Sequence, residues 1–246
     1  MKFFGVKNAG GTGSENRMDR VTAAIAAAPL FNGLTAEQLE SIRRISMVRE
    51  YPKGRIVFSE GDEGDGFYIV ISGRVKIFKS SSEGKEQILH IFGPGEPFGE
   101  VPVFTGSSFP ATARCIVQTR LLFFPKKAFI DLIIAHPMLA VQMLGLLSLR
   151  LREFTVHIEN LSLKEVPGRL SAYLLYLSEE QNQPDRVRLD ISKAHLAGLL
   201  GTIPETLSRI FGRMTAGGLI RVKGNEIFLV DRESLEILAE TGKMQE

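Results

Sequence analysis

Hydrophobic and polar positions follow three different rhythms along this chain. Between residues 48 and 125 short runs rich in Val, Ile and Phe recur at 55–59, 66–72, 74–79, 87–92, 111–117 and 120–124. Glycine-bearing turns separate them at 61–64, Ser72-Gly73, 82–84 and Gly93-Pro94-Gly95. Many short strands at this spacing predict a β-sandwich or jelly roll of about eighty residues. From His136-Pro137 the rhythm becomes helical: Ala140, Leu144, Leu147, Leu151, Phe154, Ile158 and Leu161 recur in alternating steps of four and three. Such a heptad seam predicts one long helix that pairs with a second copy of itself.

The third rhythm, over 191–218, is that of two short helices around a tight turn. Ser192 is a good N-cap, and Leu196, Leu199 and Leu200 fall on one apolar face. Gly201 ends the first helix, as a residue that accepts positive φ can. Thr202-Ile203-Pro204-Glu205 opens the second, with Glu205 doubling as a capping-box partner for Thr202. Leu207 and Ile210 pack inward, which leaves Glu205, Thr206, Ser208, Arg209 and Arg213 outward. Two β-like runs at 219–223 and 226–230 follow, joined through Gly224-Asn225. Two helices and a β-wing make a winged helix-turn-helix, whose second helix can present hydrogen-bonding groups to a DNA major groove.

Upstream, residues 1–19 are rich in Gly, Asn and polar groups and are expected to be a mobile tail. A short helix is expected over 19–28, and Thr35-Ala36-Glu37-Gln38 fits a capping box ahead of Leu39, Ile42 and Ile45. The chain thus divides into a tail (1–19), a jelly-roll effector domain with flanking helices (20–135), a dimerisation helix (136–163) and a DNA-binding domain (164–246). A helix over 168–178 leads into the last. The fold class is α+β.

Composition narrows the function. At 246 residues with 44% hydrophobic and 24% charged residues, the chain has the make-up of an ordinary globular protein. No apolar run reaches membrane-spanning length, and the expected location is the cytoplasm. The one cysteine, Cys115, excludes an internal disulfide and an iron–sulfur cluster, which needs about four thiolates. The overall charge of +2 says little, but from Arg186 to Lys223 seven basic residues face two acidic ones. That local excess suits a phosphate backbone.

Roll, long helix and winged helix in this order resemble the catabolite-activator/fumarate–nitrate-reductase regulator (CRP/FNR) family. The stretches that carry the likeness are PLFNGLTAEQLE, GDEGDGFYIVISGRVKIF, GPGEPFGEVPVF and IPETLSRI. The resemblance implies a homodimeric regulator that binds double-stranded DNA and works with RNA polymerase. Glu205, Ser208 and Arg209 match the Glu-x-x-Ser-Arg signature of the fumarate–nitrate branch and would read bases in a TTGAT-type palindrome; Pro204 stands where the catabolite-activator branch has its guanine-reading Arg. Lys193, Thr206, Arg213 and Lys223 would contact phosphates. Leu144, Leu147, Leu151, Phe154, Ile158 and Leu161 would form the dimer interface.

In the same resemblance the effector pocket would be lined by Phe67, Phe98, Gly99, Glu100, Phe109, Pro110, Ala111, Phe154 and Thr155. Gly99-Glu100 matches the ribose-binding pair of the cyclic-AMP binders, but Pro110-Ala111 replaces their phosphate-binding Arg-Ser. Burying a phosphate without such a partner is costly, which argues against cyclic AMP. The stretch ENLSLKEVPGRLSAYLLYL is similar to the nitric-oxide-responsive dissimilatory nitrate respiration regulators, and haem is their candidate cofactor, although none of His90, His136, His157 and His195 stands in a ligand motif. Two rival readings are a metal-dependent enzyme on the roll, for which His90 alone is too few ligands, and a cyclic-nucleotide-binding module without DNA binding.

Overall fold

The computed structural model describes residues 21–26 and 28–242. The expected tail at 1–19 lies outside them. Residues 21–26 are helical and a short 3-10 turn follows at Pro29–Phe31. Helix α1 (Ala36–Ile45) begins with the expected capping box, Thr35 Oγ1 accepting from the Gln38 amide and Gln38 Oε1 from the Thr35 amide.

Eight strands then form two sheets. One contains β1 (Met47–Tyr51), β3 (Gly66–Ser72), β6 (Pro97–Phe98) and β8 (Thr119–Pro125), in the order β1-β8-β3-β6. The other contains β2 (Ile56–Phe58), β4 (Val75–Ser80), β5 (Glu86–Phe92) and β7 (Thr112–Cys115), ordered β2-β7-β4-β5. A five-residue helix, α2 (Val101–Thr105), follows β6, and α3 (Lys126–Ala135) follows β8. The roll is therefore as expected, with β1, β6, α2 and α3 added.

The first sheet is buried on both faces. Tyr68, Val70, Leu121 and Phe123 point to the inter-sheet core, with Phe58, Val75, Phe92, Phe98, Phe109, Ala113 and Cys115. Phe67, Ile69, Leu122 and Phe124 point the other way and pack on Leu30, Phe31, Ile42, Phe129, Leu139 and Met143. Two buried faces explain why β3 and β8 read as continuous apolar runs instead of alternating ones. Each buried aromatic pair adds about 0.5–1.5 kcal/mol beyond area burial.

Helix α4 (Met138–Leu163) is the long helix, with Leu139 and Met143 its buried side chains. Then come α5 (Val166–Glu180), β9 (Arg186–Arg188), α6 (Lys193–Leu199), α7 (Pro204–Ala216), β10 (Ile220–Lys223), β11 (Glu226–Leu229) and α8 (Arg232–Thr241). Leu170, Leu174, Leu196, Leu207, Phe211, Met214, Ile227 and Leu235 share their core. The β10–β11 hairpin is the expected wing, and β9 pairs with β11 as a third strand.

The chain forms two compact units. The first is Met1–Phe78 with His90–Leu147; the second is Lys79–Leu89 with Ser148–Glu246. The long helix is shared between the units, and the tip of the β4–β5 hairpin groups with the C-terminal unit. Among the described residues no single helix is long and apolar enough to cross a membrane.

Candidate nucleic-acid interface and effector region

The outward face of α7 is built by what its inward face buries. Leu207, Ile210, Phe211 and Met214 are core residues, so the 3.6-residue period turns Glu205, Ser208, Arg209, Gly212 and Arg213 to solvent. Arg209 Nη2 donates to Thr206 Oγ1 at 3.2 Å, which steadies the guanidinium on the face where a base edge would meet it. Thr206 is half-buried and, while accepting from Arg209, keeps its own hydroxyl proton to donate.

The start of α7 also differs from expectation. Its N-cap is Ile203, extended at φ −102° and ψ 154°, with no side-chain capping hydrogen bond. A residue before proline is pushed out of the helical region, so Pro204 sets the boundary one residue later than Thr202 could cap it. The capping-box role for Glu205 falls away, and its carboxylate stays exposed on the outward face.

Helix α6 is capped as expected, Ser192 Oγ accepting from the His195 amide at 3.2 Å. Gly201 takes φ +65° in the turn. Lys193 Nζ lies 5.0 Å over the Phe211 ring, exposed beside α7. At the wing, Gly224 takes φ +64° and Lys223 pairs in register with Glu226. Two rows along, on the same face, Arg221 lies 5.0 Å over Phe228, and Arg186 on β9 approaches Glu226 at 3.6 Å. The wing sheet therefore carries its cations on one face, a juxtaposition that needed β9 to be seen.

On α4, Leu144, Leu151 and Ile158 are 64%, 68% and 64% exposed in the single chain. Leu147 and Phe154 are half-buried. Leu161 differs: its Cδ2 would stand 3.0 Å from a Cβ on Gly201, so it packs on the helix-turn-helix of its own chain.

The effector residues are only partly brought together. Phe98 and Phe109 are buried between the two sheets and Ala111 is buried, while Pro110 is exposed. Phe67 is not with them, because alternation along β3 puts it on the opposite face, stacked 4.9 Å from Phe124. Phe154 and Thr155 belong to the C-terminal part of α4, where Thr155 Oγ1 donates to Leu151 O. Gly99 has φ +77°, and a Cβ there would meet Phe58 at 3.0 Å and Phe109 at 3.3 Å. Glu100 is buried at the head of α2.

The inter-sheet space itself is filled by rings. Phe58 and Phe109 stack at 3.7 Å, and Phe98 stands 5.4–6.1 Å from Phe58, Tyr68 and Phe92. Among the histidines, His90 lies 3.6 Å from Glu96, His136 Nδ1 3.5 Å from Gln38 and His195 Nδ1 3.0 Å from Ser192. Among the described residues no cluster of three or more His, Cys, Asp or Glu could hold a metal ion. Burial pushes the Cys115 thiol up, so it stays protonated.

One residue of the roll interior escaped the sequence reading. Arg49 on β1 places its guanidinium 3.6 Å over the Phe123 ring and donates to the Tyr68 hydroxyl at 3.2 Å. Met47, Arg49 and Tyr51 share a face by period two, the one signal that could have shown it.

Comparison with known proteins agrees with both halves of this description. Residues 48–136 match the cyclic nucleotide-binding domain and residues 168–238 the Crp-like helix-turn-helix domain. The CRP-like cAMP-activated global transcriptional regulator of Mycobacterium tuberculosis is 30% identical over 215 residues, covering 86% of this chain and 96% of that one. The cyclic AMP receptor protein of Thermus thermophilus is 32% identical over 211 residues, with the same coverage. FixK2 of Bradyrhizobium japonicum, 23% identical, shares the fold at a TM-score of 0.70 over 79% of this chain and 97% of its own. The nitric-oxide-responsive branch draws no specific support from these relatives. Two domain matches in order, and relatives of 30% or more identity over almost their full length, establish that the chain belongs to the CRP/FNR family of DNA-binding transcription regulators.

Proposed function

We propose that this regulator is a cytoplasmic homodimer that reads a TTGAT–N4–ATCAA-type palindrome and acts together with RNA polymerase. The observation that carries the reading is the outward face of α7, where Glu205, Ser208 and Arg209 stand exposed above a buried apolar stripe. Glu205 accepts from a cytosine N4, Ser208 adapts to either base type, and Arg209 donates to guanine O6 and N7. Lys193, Arg213 and Lys223 hold phosphates. A two-fold axis along α4 sets the two recognition helices about one helical turn of DNA apart.

Selection of binding sites from random DNA tests this. Arg209→Ala is expected to cost about 1–3 kcal/mol per half-site and to relax preference at the guanine. Lys223→Ala weakens binding evenly across sequences and flattens its salt dependence. Recovery of TGTGA as the preferred half-site would overturn the base-reading assignment.

The effector acts at the roll, at the Gly99-Glu100 turn and the Phe58–Phe109 stack. Rings packed against a left-handed glycine favour a small, flat, uncharged ligand that displaces one of them, over haem. A second reading, a cyclic nucleotide, has Arg49 in its favour: it brings a cation into a roll whose Pro110-Ala111 lacks one. Calorimetric titration with cyclic AMP, cyclic GMP and haem separates the two. Micromolar cyclic-AMP binding that tightens operator affinity would replace the first reading with the second.

A further inference from the structure

The turn between α6 and α7 is held from outside the helix pair. The last carbonyls of any helix lack intrahelical partners. Here two of them meet side-chain donors from distant segments of the C-terminal compact unit. Gln87 Nε2 donates to Gly198 O at 3.0 Å, and Arg169 Nη1 on α5 donates to Leu200 O at 2.6 Å. The glycines of the turn make room for this. A Cβ on Gly198 would meet Ile88 Cδ1 at 3.0 Å; one on Gly201 would meet Arg169 Nη1 at 3.1 Å and Gln87 Oε1 at 3.2 Å.

Arg169 is an unusual cap. Its Nε is buried without a hydrogen-bond partner, and burial lowers its pKa. A guanidinium normally offsets such a cost with a carboxylate. Here its charge sits at the C-terminal end of α6, where the helix macrodipole favours a cation and a charge-assisted bond is strong. Gln87 comes from the hairpin tip Lys79–Leu89, the segment that groups with this unit although its neighbours in sequence are roll strands.

We infer that Arg169 and Gln87 are positioning residues for base reading: they fix the α6–α7 turn, and with it the presentation of Glu205, Ser208 and Arg209, without touching DNA themselves. The inference rests on α7 being the reading helix. A bidentate contact weakens steeply with misalignment, so a loosened turn costs discrimination before it costs attraction to DNA.

The test uses the full-length protein with Gln87→Glu, which keeps shape but removes the donor, and with Arg169→Gln and Arg169→Lys. Affinity for the selected palindrome and for random-sequence DNA is measured at several salt concentrations, together with amide hydrogen exchange over 198–203 in DNA-free protein. Gln87→Glu and Arg169→Gln are expected to reduce the specific-to-random affinity ratio roughly tenfold, leaving random-sequence affinity and its salt slope unchanged. Amides of the turn exchange about tenfold faster. Arg169→Lys, which restores a charged donor, recovers most of the ratio. An unchanged ratio in both variants overturns the inference, as does a shallower salt slope, which would make Arg169 a phosphate contact. If the wild type itself prefers no palindrome, the base-reading proposal fails, and unaltered exchange protection in the variants then refutes the clamp independently.

Discussion

Leu151→Asp is the sharpest perturbation of the proposed dimer. Leu144, Leu151 and Ile158 are each about two-thirds exposed on α4. Full burial of such a side chain is worth about 1.5–3 kcal/mol, so covering what is exposed contributes roughly 1–2 kcal/mol each. A two-fold interface uses each residue twice, and these three positions alone then supply roughly 6–12 kcal/mol against the cost of association. Replacing Leu151 removes two of the six contributions, roughly 2–4 kcal/mol, and brings two carboxylates together across the axis. At about 1.4 kcal/mol per decade, the dimer dissociation constant should rise at least roughly thirtyfold. Sedimentation equilibrium between 1 and 50 μM (roughly the range that resolves micromolar dimers) reads the change directly. A wild type that is monomeric across that range, or a Leu151→Asp variant that still sediments as a dimer, refutes the reasoning and removes the two-fold argument for a palindromic site.

Three further outcomes follow from particular side chains. Gly212 is exposed on α7 and an added Cβ meets nothing, so Gly212→Ala should raise thermal stability by about 1 kcal/mol while lowering operator affinity, because the new methyl stands between helix and groove. Asp231 caps α8, accepting from the Ser234 amide at 2.9 Å and the Ser234 hydroxyl at 2.7 Å, and these bonds hold its carboxyl below the usual range. Its stabilisation is therefore present above the unfolded-state pKa near 3.8 and lost as pH falls through the lower folded value; Asp231→Ala should lower Tm at pH 7 and make no difference in melts well below that folded value. Cys115, buried with a raised pKa, should resist a thiol reagent at pH 8 until denaturant is added, and stoichiometric labelling of the native protein would contradict its place in the inter-sheet core.

The sequence made legible whatever depends on neighbours a few residues apart. The Thr35–Gln38 capping box, the Ser192 cap, the left-handed Gly201 and the apolar stripe of α7 are local rules, and all are present. What escaped depends on partners far along the chain. β9 is three residues, Arg-Val-Arg, with one apolar side chain, and only its ladder with β11 makes it a strand. Phe67 could not be assigned to the face away from Phe98 because β3 is apolar on both of its faces, which erases the period-two signal. The bond from Gln87 to Gly198 joins residues 111 apart, beyond any window of local pattern.

The ladder order β10-β11-β9 has a consequence for how such a protein changes its target. The chain departs for α6 from Arg188 on β9, opposite Glu226, and comes back from α7 into β10 at Ile220, opposite Leu229, with β11 the single strand between, so exit and return lie about 14 Å apart. The helix pair is in effect a cassette clipped into a small frame by both its ends. Exchanging residues 189–219 with those of another family member should carry DNA preference across while leaving the frame, α5 and α8 intact. New operator specificity can then arise by replacement of a single contiguous segment, provided the incoming turn still offers Gln87 and Arg169 the carbonyls they cap at Gly198 and Leu200.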